Sequence, residues 1–490
     1  MKNSRADIQK YLLKYYDLVG YFMVFGIVML GGLRFKASFL QWRLLDKGLL
    51  ENDALESIWR MHSQPPLFNA LTSLILKTGR LLHVSWEHLA FAVYLFLGLG
   101  TVRLLRRTLE GFELPTRAVI ILTGLFLINP SLYYYLMKYN DAAPALLFTT
   151  WFLYAGSKWL REKSGFWQVG PALVCLANLR PQYHPMMLLL VYAGLLWLQK
   201  EPFWRSRKTC VLITCTIIGL SIWPVKNLVQ YGVFQSSSWV GYNLSRPTPL
   251  RAQFEKHFWS KPLLDQCAAE QVHPSVCDIF KASCPEKAPA YARRNWNHMF
   301  FVKTQKELAK KSVEWRLNNM PQYMRFCLLH YCFSTQPGDW VCYNGKTGYD
   351  DCSGWLRGMV SLHRSMVFAD LRKIFPFAQV DESMTRNISQ LEQCVGSSFS
   401  YVGITLYGVV ILPLLLLSVL VFLLARLRSG WDSLDGLVFC GLLLFGWLLL
   451  TTCAIDGVEG TRMLFPSATI LAVFCAYLIK RFPQVGKKRT

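Results

Sequence analysis

The chain has 490 residues, 53% of them hydrophobic, and a formal net charge of +23. Its apolar residues fall in repeated blocks of spanning length, so the sequence predicts an all-α polytopic membrane protein rather than a water-soluble one. The charge does not indicate a nucleic-acid partner, because no basic-plus-aromatic nucleic-acid module is recognisable, and we expect anionic membrane lipids to account for much of it.

Hydropathy predicts about ten transmembrane helices, which places both termini on one side of the membrane. Lys and Arg concentrate in alternate connections, such as 103–117, 158–163 and 200–208. Because basic residues favour the cytoplasmic ends of spans, we expect these connections and both termini to be cytoplasmic. The predicted spans are 17–33, 86–105, 117–137, 142–160, 166–180, 185–199, 208–225, 401–425, 434–453 and 463–480.

The first connection on the predicted extracytoplasmic side, residues 34–85, carries several acidic residues. Asp46 and Asp53 are two of these, and both precede a proline-rich bend. Ionisable residues at a membrane face are candidates for a functional site. The alternative is an amphipathic helix over 49–61 whose acids face water.

The bend itself reads His62-Ser63-Gln64-Pro65-Pro66. Proline fixes φ and lacks an N–H donor, so two prolines in succession hold the chain rigid. His62 is a candidate contact for a phosphate or sugar, and it could equally be an interfacial side chain. The apolar run 67–82, which Lys77 and Arg80 interrupt, predicts a helix along the membrane surface.

The junction between the third and fourth predicted spans contains Lys138, Asn140 and Asp141, after Asn129-Pro130. Asp141 begins the fourth helix from the extracytoplasmic side, where a carboxylate is a site candidate. It is also suited to be an N-cap that satisfies exposed helix amides, although Asn140 alone could fill that role.

Two further junctions on the same side carry arginine. Arg180 is followed by Pro181 and His184, and Glu459 precedes Arg462 in the last junction. A guanidinium presents a planar, permanently charged fork that is suited to a phosphate. The alternatives are an Arg180 side chain that reaches to lipid headgroups and a surface ion pair between Glu459 and Arg462.

A long insertion, residues 226–398, separates the N-terminal membrane module 1–225 from the C-terminal helices 399–490. Its eight cysteines predict disulfides in an oxidising compartment, because their spacing does not match paired zinc ligands. They are Cys267, Cys277, Cys284, Cys327, Cys332, Cys342, Cys352 and Cys394.

Taken together, the bend and the junctions resemble the membrane-embedded GT-C glycosyltransferases. The similarity is to the family 39-like branch that includes protein O-mannosyltransferases, the aminoarabinose transferase of lipid A and the RgtA/B/C/D-like enzymes. The resemblance implies a GT-C-like helix bundle with an extracytoplasmic insertion. It also implies inverting transfer of a sugar from a polyprenyl-phosphate donor to a glycan, lipid or protein acceptor.

Site roles follow from the same resemblance, residue by residue. The catalytic candidates, which would act on the acceptor, are Asp53, Asp46 and Asp141. The candidates for binding the donor phosphate are Arg180, His184, Arg462 and Lys138. The candidates for other substrate contacts are His62, Gln64, Asn140 and Glu459. No cofactor is implied, and no divalent-metal cage is indicated.

Two other classes of function remain open at this stage. A lipid or glycan transporter or flippase would place charged or broken segments near mid-membrane, whereas the polar residues here cluster at one face. A non-catalytic receptor or assembly factor would leave the bend and the arginine junctions unexplained. A bacterial inner membrane is favoured as the location, with the endoplasmic reticulum as the alternative.

Overall fold

The computed structural model describes residues 18–26, 35, 44–45, 47–198, 206–245, 248–250, 299–334, 367–370, 403–405, 407–456 and 464–487. Within these ranges the chain is helical apart from loops and one pair of short antiparallel strands. The strands are β1 (Val367–Asp370) and β2 (Gly403–Thr405).

The N-terminal part is a series of helices joined by short loops. Residues 18–26, in the first predicted span, are helical. The helices that follow are α1 (Lys47–Asn52), α2 (Ala54–Arg60), α3 (Leu67–Leu81), α4 (Trp86–Glu110), α5 (Thr116–Leu127), α6 (Pro130–Leu136), α7 (Ala142–Glu162), α8 (Phe166–Leu179), α9 (Pro185–Leu198) and α10 (Arg207–Tyr231).

The insertion and the C-terminal part contribute the remaining helices. These are α11 (Val240–Leu244), α12 (Met299–Asn318), α13 (Met320–Ser334), α14 (Leu412–Ser429), α15 (Ser433–Thr451) and α16 (Ala468–Lys487). A π-helical turn, Tyr407–Ile411, precedes α14, a second one, Thr452–Asp456, extends α15, and a 3₁₀ turn, Phe465–Ser467, leads into α16.

Four helical stretches in the described part are long and apolar enough to cross a membrane: Trp86–Glu110, Arg207–Tyr231, Ser433–Ile455 and Phe465–Phe482. Shorter apolar helices accompany them: Thr116–Leu127, Phe166–Leu179, Pro185–Leu198 and Leu412–Leu427. The chain is therefore a helical integral membrane protein. The number of ten spans and the orientation of the termini stay predictions.

The predicted continuous span 117–137 is wrong, because the helix breaks between α5 and α6. Asn129 caps the second piece by accepting a hydrogen bond from Ser131 N at 3.0 Å. Pro130 follows at the first helical position, where its missing N–H is tolerated. A cap and a proline at successive positions start a new helix rather than continue the old one.

Helix α7 lies at the centre of the bundle and packs against α4, α8, α15 and α16. Its buried face includes the small residues Ala142, Ala145, Ala155 and Gly156. Small side chains allow the backbones of membrane helices to approach closely, so their number here explains how one helix can contact four others.

A buried carboxylate joins three helices at one end of the bundle. Asp435 on α15 accepts hydrogen bonds from Arg481 Nη2 at 2.9 Å, Tyr477 OH at 2.8 Å and Arg426 Nε at 3.2 Å. Near this network Lys480 pairs with Glu113 at 2.8 Å. The basic residues Arg426, Lys480 and Arg481 were predicted to be cytoplasmic, and the structure brings them together at one end.

The described part of the insertion includes the helices α12 and α13, and α11 packs on α12. Cys327 on α13 carries a free thiol, so the prediction that all eight insertion cysteines form disulfides is not confirmed for this one. The other seven side chains lie outside the described residues. Gly241 on α11 is so close to α12 that an added Cβ would lie 2.2 Å from Gln305 O.

Gly241→Ala should therefore separate α11 from α12, because the obstructing atom belongs to the backbone. We expect a loss of about 1–3 kcal/mol in unfolding free energy, as for other overpacked contacts. Thermal unfolding of the purified protein in detergent measures it. Gly446→Ala is the matched control, because an added Cβ at Gly446 meets nothing within 4 Å. Equal stability of the two variants would contradict the close packing.

A buried polar site at one end of the helix bundle

The structure joins two of the predicted site residues in a buried ion pair. Arg180 Nη2 donates to Asp141 Oδ1 at 2.7 Å, and each side chain is 1% exposed. The two residues come from different junctions, after α8 and before α7, and were given separate roles in the sequence. Their contact confirms that these two junctions meet at one end of the bundle.

Asp141 does not act as the side-chain cap of α7, so the capping alternative is wrong for this residue. It lies at the N-cap position without a side-chain cap bond. Asn140 supplies the bond instead, because its Oδ1 accepts from Ala142 N at 2.7 Å. The carboxylate of Asp141 instead accepts a hydrogen bond from Arg180.

Tyr94 on α4 fixes the backbone next to this pair. Its hydroxyl accepts from Asn140 N at 2.9 Å and donates to Asn140 O. Asn140 is 1% exposed, and its Nδ2 has no hydrogen-bond partner among the described residues. A buried amide donor of this kind is costly unless something pairs with it, and it lies beside the two charges.

The turn that carries Arg180 is held by α15. Trp447 Nε1 donates to Gln182 O at 2.7 Å. Tyr183 lies buried in the same turn with its hydroxyl 3.2 Å from Thr149 Oγ1, and burial raises the pKa of Tyr183 to about 12. The phenol is therefore a neutral hydrogen-bonding group, and two side-chain contacts hold the turn directly after Arg180.

His184 ends this turn, beside the Trp447 ring. Its Nδ1 accepts from Met186 N at 3.3 Å, and burial lowers the pKa of the imidazole. The ring is thus neutral near pH 7, with its proton on Nε2. A neutral ring can still donate one hydrogen bond to a phosphate, but it adds no charge.

Lys138 and the aromatic residues before it line the same end of the bundle. Lys138 Nζ donates to Tyr134 OH at 3.2 Å. Tyr135 packs against Phe465, with ring centroids 4.5 Å apart. Phe465 follows the junction that contains Glu459 and Arg462, two candidates that lie outside the described residues. The flank of that junction therefore reaches this end of the bundle.

Tyr139 connects the pair to the helix that follows the proline bend. Its hydroxyl donates to Thr72 Oγ1 at 2.7 Å, and its ring lies 5.5 Å from that of Phe68. Both partners are on α3, the helix predicted from the run 67–82. The helix is confirmed, whereas its position along a membrane surface stays a prediction.

The bend is buried, with His62 0% and Gln64 4% exposed. His62 Nδ1 lies 2.7 Å from Ser238 Oγ, and its ring lies 4.9 Å from that of Tyr231. This full burial argues against the interfacial alternative for His62. The bend is attached to the end of α10 and to the segment after it.

The first-loop carboxylates are placed differently. Asp53 is exposed and separates α1 from α2, so the single helix over 49–61 is wrong. Its carboxylate makes no cap bond and belongs to the loop surface. Asp46 lies outside the described residues. Among the residues that are described, no three His, Cys, Asp or Glu side chains form a cluster able to hold a metal ion.

Sequence reasoning missed three residues of this region: Tyr94, Tyr139 and Lys226. Tyrosines in apolar helices carry no distinct signal, because the same residue type fills cores and interfaces. Lys226 was missed because the seventh span was predicted to end at residue 225. The helix continues to Tyr231, so this lysine lies within it and is 3% exposed.

Comparisons with known proteins do not assign a family or an activity to this chain. No family model matches the chain, and no curated protein matches it. Among solved structures, it is similar to the crystal structure of ArnT from Cupriavidus metallidurans bound to undecaprenyl phosphate. The TM-score is 0.33 and the identity 12%, over 98% of this chain and 80% of that one. These values are too low to show a shared fold or activity.

Because Asp141 and Arg180 form an ion pair, we expect the effects of their substitutions on the unfolding free energy to be strongly coupled in a double-mutant cycle. Asp141→Leu or Arg180→Met alone should each lower the unfolding free energy by about 3–5 kcal/mol, because each removes the ion-pair partner of a buried charge. The double variant should lose clearly less than the sum. Denaturant unfolding in detergent micelles measures all four proteins.

Asp435 provides the matched control at the other end of the bundle. Combining Asp141→Leu with Asp435→Leu should give additive losses to within about 0.5 kcal/mol, because the two carboxylates lie at opposite ends of the bundle. Additive losses for Asp141→Leu and Arg180→Met would show instead that the two side chains do not pair.

Proposed function

We propose that this protein is a membrane glycosyltransferase that moves a sugar from a polyprenyl-phosphate donor to an acceptor nucleophile, with inversion at the anomeric carbon. The observation that carries the proposal is the buried contact between Asp141 and Arg180. Both residues belong to motifs that resemble those of the GT-C enzymes. They are 39 residues apart in the sequence, so their contact is not a local one.

A role in stability is a poor explanation for this pair. Taking two charges out of water costs several kcal/mol per ion, and well-packed apolar residues of similar volume are often as stable or more so. Buried ionisable residues in membrane helices usually mark substrate paths or sites. We therefore assign the pair to chemistry at this end of the bundle.

Arg180 is the proposed phosphate ligand. A guanidinium has five N–H donors in a planar fork, so it can hold Asp141 and also face a phosphate oxygen. A glycosyl phosphate already contains a good leaving group, so neutralising its charge is the main requirement of the donor site. Lys138 and the Nε2–H of His184, from the same two junctions, are the proposed supporting donors, and Arg462 is proposed as a second cation.

Asp141 and Asn140 are the proposed contacts of the acceptor. An ionised carboxylate accepts up to about four hydrogen bonds, so pairing with Arg180 leaves room for an acceptor hydroxyl. The buried Nδ2 of Asn140 supplies a donor beside it. The first-loop carboxylates Asp53 and Asp46 remain proposed alternatives for the general base, with His62, Gln64 and Glu459 as further substrate contacts.

The membrane orientation belongs to the proposal as well. The site end of the bundle is opposite the Asp435 network, whose neighbours come from the basic, predicted cytoplasmic connections. We propose that the site faces the extracytoplasmic side, with both termini in the cytoplasm, of a bacterial inner membrane or else of the endoplasmic reticulum.

Transfer can be measured directly with the purified protein in lipid nanodiscs. Radiolabelled polyprenyl-phosphate sugars are mixed with candidate lipid, glycan and protein acceptors, and labelled product is separated. Asp141→Asn and Arg180→Lys should each lower kcat/KM by about 100-fold or more, the usual loss when one transition-state charge contact is removed.

Asp435→Asn and Arg481→Lys are the controls, because they alter a buried ion pair of the same kind at the far end of the bundle. They should transfer at near wild-type rates once matched for folded protein. An equal loss in both sets would assign the effect to stability. In proteoliposomes, movement of labelled lipid across the bilayer without transfer would favour a flippase, and neither activity would favour a receptor.

A further inference from the structure

Four consecutive backbone carbonyls around the bend, those of residues 60–63, each accept a hydrogen bond from α10 or the segment that follows it. We call this set of bonds the bend clamp. The donors, in order, are Tyr231 OH to Arg60 O, Lys226 Nζ to Met61 O, Ser238 N to His62 O and Ser237 Oγ to Ser63 O. The bend itself forms no regular secondary structure, so these bonds define its position.

Lys226 is the unusual member of the clamp, because its amine is buried within a membrane helix and the side chain is only 3% exposed. Its Nζ also donates to Asn227 Oδ1 at 3.0 Å and lies 3.9 Å from the centroid of the Trp223 ring. No carboxylate among the described residues is within ion-pair distance of it. Burying a lysine amine is expensive, and an apolar side chain of similar length would fill the space without that cost.

The clamp also connects the bend to the insertion. Ser237 and Ser238 lead directly into α11, which packs on α12. Arg316 on α12 donates to Leu244 O at 2.7 Å and so holds the end of α11. The bend is therefore fixed between the membrane helix α10 and the helix pair of the insertion.

We propose that Lys226 is a positioning residue: it sets the place of the bend, and with it His62 and Gln64, relative to the buried ion pair. The link passes through α3, because the bend leads into this helix and Tyr139 joins α3 to the backbone before Asp141. Only the effect of Lys226 on transfer rests on the proposed function. Its effect on the bend does not.

Hydrogen–deuterium exchange of the full chain in nanodiscs tests the structural part. Lys226→Met should raise exchange in peptides over 60–66 by about fivefold or more, the factor that corresponds to one lost net hydrogen bond. Peptides over 142–156 should not change. Lys208→Met, at the exposed start of the same helix, is the matched control and should change neither region.

Lys226→Arg keeps N–H donors at the end of a long side chain, so it should return exchange over 60–66 most of the way to the wild-type rate. The proposal is overturned if Lys226→Met leaves the bend unchanged, or if arginine and methionine have the same effect. It is overturned as well if exchange rises equally in all peptides, since that result means general destabilisation rather than positioning.

The transfer assay tests the functional part separately. Lys226→Met should lower kcat about tenfold or more with little change in KM for the donor, because the side chain orients the bend rather than binding the lipid. A changed KM with unchanged kcat would contradict positioning. If the wild-type chain transfers no sugar at all, the proposed function fails while the exchange result still decides the role of Lys226 in the clamp.

Discussion

The buried ion pair between Asp141 and Arg180 is the constraint on which the site end of this bundle depends. It ties the start of the central helix α7 to the end of α8 by one charge-assisted hydrogen bond of 2.7 Å. Around it, Tyr94 fixes the backbone of Asn140, and Trp447 fixes the turn after Arg180. Because both side chains are buried, a shift of either helix would break an ion pair that water does not replace.

A second buried charge network, centred on Asp435, holds the opposite end. The two networks differ in what surrounds them. Asp435 lies among the helix ends that carry Arg426 and Arg481, and its oxygens are used by three donors from neighbouring helices. The Asp141 end instead contains tyrosines, the proline bend and the buried Asn140 amide, whose Nδ2 has no partner within the part of the chain that the structure describes. The Asp435 network holds neighbouring helices together, whereas the Asp141 end has polar groups that a ligand could bind.

Much of the site could be predicted from sequence, because ionisable residues at span ends are rare and conspicuous. The meeting of Asp141 with Arg180 follows from the topology that the basic connections indicate. The break before Pro130 could not be predicted from hydropathy, which reads 117–137 as one apolar run. The burial of Lys226 could not be predicted for a related reason: hydropathy detects only the apolar part of a helix, and this helix continues beyond it to Tyr231. The bend clamp could not be predicted either, because backbone carbonyls are the same in every sequence.

A cryo-EM structure of the chain in nanodiscs with added polyprenyl phosphate tests the central claim most directly. The account predicts that Arg180 keeps its contact with Asp141 while its guanidinium lies within hydrogen-bond distance of the phosphate, at the end of the bundle that holds the proline bend. A phosphate bound at the Asp435 end, or Asp141 and Arg180 found apart on opposite sides of the membrane, would contradict it.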